Sequence, residues 1–317
     1  MKQQPDPMET IGKSKAPAVV AETRNASRVE RALVLSGGGP VGYAWMAGLV
    51  AGLLDHAVDL GRAELIVGTS AGSIVGAQLA LGMDVAALVA ELNRQSEPNI
   101  YSSTGTGLGN LLVEWANAAR AANPDEARAA IGRKALAAAT IGEDAFVARS
   151  GYSVFAGREW PPTFRATAVS TTTGQLVVWS KDSHVDLARA LAASSSIPGV
   201  SPPVTLNGDR YMDGGVRSSL NADLAAGARS VLVVSCFSLT PPDGVDANRR
   251  HRYEDLSQEL DTITAAGGAL EIIEPGPEFL RLSGYGSRLM ETNLMPEAVQ
   301  TGRRHAMIES ARLGSWA

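Results

Sequence analysis

Cysteine is almost missing from this 317-residue chain, with Cys236 as its single example. That excludes an intrachain disulfide and a cysteine-rich zinc site, and it removes the usual mark of an oxidising compartment. Cys236 lies in the apolar run SVLVVSCF, where a free thiol is expected to pack in the core. Histidine is scarce too: His56, His184, His251 and His305 are dispersed, and no H-E-x-x-H, calcium-loop or paired metal motif occurs, so neither a metal nor a cofactor is expected. No basic stripe exists either. Lys and Arg number 28 against 33 Asp and Glu, a net charge of -5 with the basic residues scattered, which argues against a nucleic-acid partner and gives no strong pull toward anionic lipid. No apolar run reaches the roughly 20 residues that cross a bilayer, and the opening MKQQPDPMETIGKSKAPAVVAETRNASRVE lacks the basic-then-apolar order of a signal peptide. Residues 1–29 therefore read as a disordered tail. The expected location is cytoplasmic, with peripheral contact at the inner membrane face left open because a hydrophobic rim needs no basic help.

What is abundant is apolar and small. Hydrophobic residues make up 45% of the chain and charged residues 19%, enough for a buried core, and no composition shift marks a linker, so residues 30–317 read as one domain. RALVLS reads as a strand entering GGGPVG, with the helical run YAWMAGLVAGLLDHAV behind it; ELIV reads as a second strand entering GTSAG, followed by the helical SIVGAQLALG. Residues 84–93 continue as a helix, NIYSSTGTGLG breaks the pattern, and about 98–160 form a helical insertion, with Asn123 capping a helix that begins at Pro124. Strands return in TFRATAVSTTTGQLVVWS around a Thr173-Gly174 turn and in PVTLNGDRYMDGG around Asn207-Gly208. Ser230 to Phe237 is apolar throughout its middle, as a central parallel strand covered on both faces requires. A strand in ALEIIEP between helical patterns at 250–268 and 296–313 completes an α/β layer system.

The chemistry concentrates in two strand-to-helix turns and one Asp-Gly-Gly. Gly68-Thr69-Ser70-Ala71-Gly72 follows a strand and opens a helix, the context in which G-x-S-x-G presents a nucleophilic serine; the bland reading of Ser70 is a helix cap. Gly37-Gly38-Gly39-Pro40-Val41-Gly42 offers backbone donors for an oxyanion. Its glycines also satisfy G-x-G-x-x-G, but Glu64 precedes ELIV rather than closing it, and no Walker-type G-K-S or G-K-T follows, so a nucleotide site has little support. None of the four histidines carries a motif that marks a base for Ser70. Asp213, at a strand end before Gly214 and Gly215, is the better candidate, its bland reading being a plain Asp-Gly turn. A carboxylate of ordinary pKa, about 3.9, is a weak base, so alignment and desolvation must assist it.

These three elements, SGGGPVG, GTSAG and DGG in that order, resemble the patatin-like phospholipase family over about residues 31–235, and LAASSSIPGVSPPV looks like that family's segment before the aspartate. The resemblance implies a three-layer α/β/α fold with a mostly parallel central sheet, related to that of cytosolic phospholipase A2. It implies a Ser70–Asp213 dyad, an oxyanion hole from Gly37, Gly38 and Gly39, and supporting roles for Gly42, Gly68, Gly72, Gly214 and Gly215. The implied activity is hydrolysis of lipid carboxylic esters, with a lipid or other ester as partner. Val41 departs from the pattern, which commonly has Lys or Arg there; the loss weakens a phospholipase reading more than a general esterase one. The alternative is an inactive lipid-binding protein on the same fold. The insertion, with Trp115, Phe146 and Phe155, is the candidate lid or acyl-chain wall, although packing within the insertion explains its apolar residues as well.

Overall fold

The computed structural model describes residues 28–85, 87, 90, 108–241 and 247–316. Nearly all of the expected tail, most of the helix expected at 84–93, the connector up to residue 107 and the side chain of His251 lie outside the described residues.

Strand β1 (Arg31–Leu35) leads through the glycine loop into helix α1 (Gly39–Asp55). The helix starts four residues before the run that its apolar spacing suggests, because Pro40 suits a first turn, where a missing N–H leaves no bond unmade. Next come β2 (Leu65–Gly68), α2 (Ala71–Ala80), α3 (Leu108–Ala119) and α4 (Pro124–Ala137), the last capped as expected by the Asn123 side chain, which accepts the Glu126 N–H at 3.3 Å. Two short helices, α5 (Glu143–Val147) and α6 (Ser150–Ser153), precede the hairpin of β3 (Phe164–Ser170) and β4 (Leu176–Trp179). Helix α7 (Leu187–Ser194) leads to a second hairpin, β5 (Val204–Leu206) and β6 (Asp209–Asp213). Its turn residues Asn207 and Gly208 both have positive φ, as a two-residue hairpin turn demands. The chain continues with β7 (Ser230–Val234), α8 (Ala247–Ala265), β8 (Ala269–Ile273), α9 (Pro277–Leu282) and α10 (Met295–Glu309).

Eight strands form one sheet with the hydrogen-bonded path β5-β6-β3-β2-β1-β7-β8 and β4 added to β3. The five strands from β3 to β8 along that path are parallel; β4, β5 and β6 join antiparallel. Side chains alternate across it. Leu33, Leu35, Leu232 and Val234 enter the larger core with α1, α2, α7 and α10, while Ala32, Val34, Val231 and Val233 face Leu256, Leu260 and Ile263 of α8. This is a three-layer α/β/α arrangement. A third, smaller core joins Trp115 and Ile131 of the insertion to Val169, Met212 and Val216.

The register around β3 positions the site. Ala168 pairs with both Val177 of β4 and Asp213 of β6, so those two strands take opposite edges of β3. Ala166 pairs with both Trp179 of β4 and Gly68 of β2, which puts β2 on the same edge as β6. One is parallel to β3 and the other antiparallel. They therefore meet end to end, carboxyl ends facing across Thr167, and deliver the residues after Gly68 and those around Asp213 to one place.

Candidate active site

Ser70 stands between β2 and α2 with φ 52° and ψ −118°. A non-glycine residue held there costs about 1–3 kcal/mol and persists only when its surroundings over-determine it. They do: the Ser70 N–H donates to Ser194 Oγ at 3.0 Å, and Ser73 Oγ donates to the Ser70 carbonyl at 2.6 Å. The turn is sharp enough that a Cβ on Gly72 would lie 2.2 Å from the Leu35 carbonyl oxygen, so only glycine lets α2 start against the end of β1. Gly68 occupies the strand end directly beneath this turn.

Asp213 is the last residue of β6, 2% exposed, with its N–H on the Ser196 carbonyl at 2.9 Å. Its Oδ1 accepts the Gly215 N–H at 2.7 Å. Burial pushes its pKa up to about 7, and the Gly215 N–H and the nearby Ser70 hydroxyl pull in the opposite direction. Gly214 is pressed against Thr167, where a Cβ would meet Thr167 Oγ1 at 2.2 Å.

The glycine loop differs from expectation at its first member. The Gly37 N–H donates to the Ser219 carbonyl at 2.9 Å and is not a free donor, although Gly37 itself lies against Ser70. The Gly38 and Gly39 N–H groups, at the start of α1, have no hydrogen-bond partner among the described residues, and neither does that of Ala71, the first residue of α2. Two helix amino ends with unused donors therefore flank Ser70. Gly42 completes the first turn of α1 by donating to the Gly38 carbonyl at 2.9 Å, and it packs with Gly38 on Cys236, whose thiol burial pushes up to about 12. Val41 is wholly buried, its N–H on the Leu289 carbonyl at 3.1 Å, so the position that carries a cation in the resembling pattern is here part of the core.

His56 and His184 are exposed at the ends of α1 and of a short turn, and His305 pairs with Glu309 at 3.2 Å; none of these three contacts Ser70. Phe146 and Phe155 are wholly buried in the larger core and Trp115 is pressed against Gly215, so these three aromatics pack. Beside Gly215 opens a small cleft, lined by Trp115, Gly215, Arg217, Ser218, Ser219 and Glu259. Burial raises Glu259 to about 7, with Ser218 and Arg217 opposing the shift. Among the described residues no three His, Cys, Asp or Glu side chains gather as a metal site, and no helix is long and apolar enough to cross a membrane. Sequence reasoning missed Ala71, Thr69, Thr167, Ser194 and Asn221. For Ala71 the signal was its place after the serine; for the others there was none, because their partners are distant in sequence.

A strained serine between a parallel strand and a helix, facing a buried carboxylate across one sheet edge, defines an α/β protein of the serine-elbow type. Residues 33–226 match the patatin-like phospholipase family, and the chain belongs to that family. The family is one of hydrolases that characteristically use a Ser–Asp pair. Comparison with curated proteins gave no match. Among solved structures, the chain is similar to VipD from Legionella pneumophila at 13% identity, covering 87% of this chain and 68% of that one with a TM-score of 0.39. It is also similar to ExoU of the Pseudomonas aeruginosa type III secretion system, in complex with SpcU, at 18% identity and a TM-score of 0.35, covering 86% of this chain. The chain spans about half the length of ExoU, 53% in that comparison.

Proposed function

We propose that the protein hydrolyses lipid carboxylic esters, with Ser70 as nucleophile and Asp213 as general base. The placement of a strained serine turn and a buried carboxylate, its pKa pushed up to about 7, at one strand junction supports this reading. An aspartate at its ordinary value is a far weaker base than a serine alkoxide; raising it to about 7 narrows that gap by about three units, about 4 kcal/mol at 1.36 kcal/mol per unit. Asp213 takes the hydroxyl proton as Ser70 Oγ bonds to the acyl carbon. The carbonyl oxygen gains the negative charge and is met by the free N–H groups of Gly38, Gly39 and Ala71, Gly37 supporting the loop through Ser219. Collapse returns the proton to the leaving alcohol and leaves an acyl-serine. Water, giving its proton to Asp213, then adds to that ester, and the acid departs as the proton returns to Ser70.

The substrate class is a lipid ester reached by peripheral contact with a membrane from the cytoplasm. Intact-mass detection of labelling by a lipid-like fluorophosphonate tests the assignment. Native protein is expected to gain one label, Ser70→Ala none, and Asp213→Asn to label far more slowly. A folded native protein that takes no label, or Ser70→Ala protein that keeps its esterase activity, overturns the hydrolase reading, and retained lipid without labelling points to a lipid-binding protein instead.

A further inference from the structure

The end-to-end meeting of β2 and β6 has a structural cost: no ladder hydrogen bond joins two strands that abut rather than run side by side. Side chains close the gap. Asn221, wholly buried, donates from Nδ2 to the Ser218 carbonyl at 2.8 Å and to Thr69 Oγ1 at 3.0 Å, and lies 3.4 Å from the Gly214 carbonyl. Its amide orientation is fixed by chemistry, because Oδ1 faces Arg217 Nη1 at 2.9 Å and a guanidinium only donates. Arg217 is itself clamped by both oxygens of Asp223, at 2.6 and 2.8 Å. Thr69 Oγ1 and Thr167 Oγ1 share a hydrogen bond at 2.9 Å, and Thr167 Oγ1 faces the Gly68 carbonyl at 3.4 Å. The bonds form one chain from guanidinium to strand end, an arrangement in which neighbouring bonds polarise one another.

We propose that Asn221 is a positioning residue for the Ser70–Asp213 pair, its amide tying Thr69, the residue before the nucleophile, to the Ser218 carbonyl on the segment that follows the base, beside the strand junction at Thr167. This rests on the dyad reading above. Two protons on one atom are needed to serve both Thr69 and the Ser218 carbonyl, which a hydroxyl cannot supply and a carboxylate lacks. The backbone at Asn221 is left-handed, φ 53°, a conformation that asparagine, aspartate and glycine take more readily than other residues. Asparagine meets both requirements.

The backbone preference supplies the variants. Asn221→Asp keeps shape and φ but removes both donors; Asn221→Gly keeps φ and removes the side chain; Thr69→Val reaches the same junction from the other side. Each is to be measured with the fluorophosphonate and with p-nitrophenyl butyrate. We expect kcat to fall about 10- to 100-fold with KM within about threefold, a size suited to one or two hydrogen bonds at a reacting pair. The apparent pKa of the rate profile should rise, since a Ser70 hydroxyl that drifts from Asp213 no longer lowers it. The Asn221→Gly, Thr69→Val double variant should lose little more than the worse single one, because both act through one bond. Variants that keep the native kcat and pH profile and lose only thermal stability, or a double variant whose losses multiply, would overturn the proposal. Native protein that takes no label refutes the dyad itself; labelled native protein beside unaffected variants refutes only the role of Asn221.

Discussion

Replacing Asp213 with Asn should make the protein more stable, by an amount that depends on pH in a direction fixed by burial. The folded carboxyl titrates near 7 against an ordinary value of 3.8, so well below pH 3.8 it is protonated folded or unfolded and costs nothing. As pH rises the unfolded chain releases this proton first, and the folded protein falls behind by about 1.36 kcal/mol per pH unit until its own pKa is passed. The stability lost to this group is therefore about 1 kcal/mol at pH 4.5 and about 4 kcal/mol at pH 8.5. An asparagine keeps the shape: its Oδ1 accepts the Gly215 N–H, its Nδ2 donates to Ser70 Oγ, and it has nothing to ionise. Urea unfolding of both proteins should show the gap between them widening by about 3 kcal/mol between pH 4.5 and 8.5. Glu259, also raised to about 7, titrates in both and cancels in the difference. A gap that stays flat across this range would refute the account of Asp213 as a base desolvated at the expense of stability.

Three further outcomes follow from the same geometry. Because Asp213 must be ionised to accept the Ser70 proton, kcat/KM should rise with pH through a single apparent pKa near 7 and then level off; a profile that is flat from pH 5 to 9 contradicts the assignment of the base. Ser194→Ala strands the buried Ser70 N–H, a loss of about 1–3 kcal/mol, and should slow fluorophosphonate labelling about tenfold; an unchanged labelling rate means Ser194 does not hold the elbow. In the packing of α1 on α10, a Cβ on Gly302 would meet the Trp45 carbonyl at 2.1 Å, so Gly302→Ala should lower stability by about 1–3 kcal/mol, read by thermal unfolding, while the folded fraction still labels.

The fold was legible where local pattern and long-range demand coincide. β1 and β7 are central parallel strands and read as bare apolar runs, Asn207-Gly208 reads as the hairpin turn it is, and Asn123 reads as the cap of α4. Ser70 and Asp213 were legible because each sits at a glycine-marked turn whose flanking elements could be assigned. Gly37 misled because what occupies its N–H is the Ser219 carbonyl, a partner that no spacing announces. The start of α1 was set too late because Gly39 and Pro40 read as loop until the helix is seen to need no N–H there. Asn221 gave no local signal at all: its importance lies in Thr69, 152 residues away, and in a strand junction that only the register of β3 creates.

That register also sets when, during folding, the proposed dyad could first come together. Strands β1 to β3 and the serine turn are present in the chain up to Ser170, but Asp213 joins them only when the β5–β6 hairpin docks on the stretch of β3 that β2 leaves uncovered. On the dyad reading proposed above, an emerging chain would hold Ser70 without its base until the β5–β6 hairpin had docked, so the onset of labelling would time that docking step.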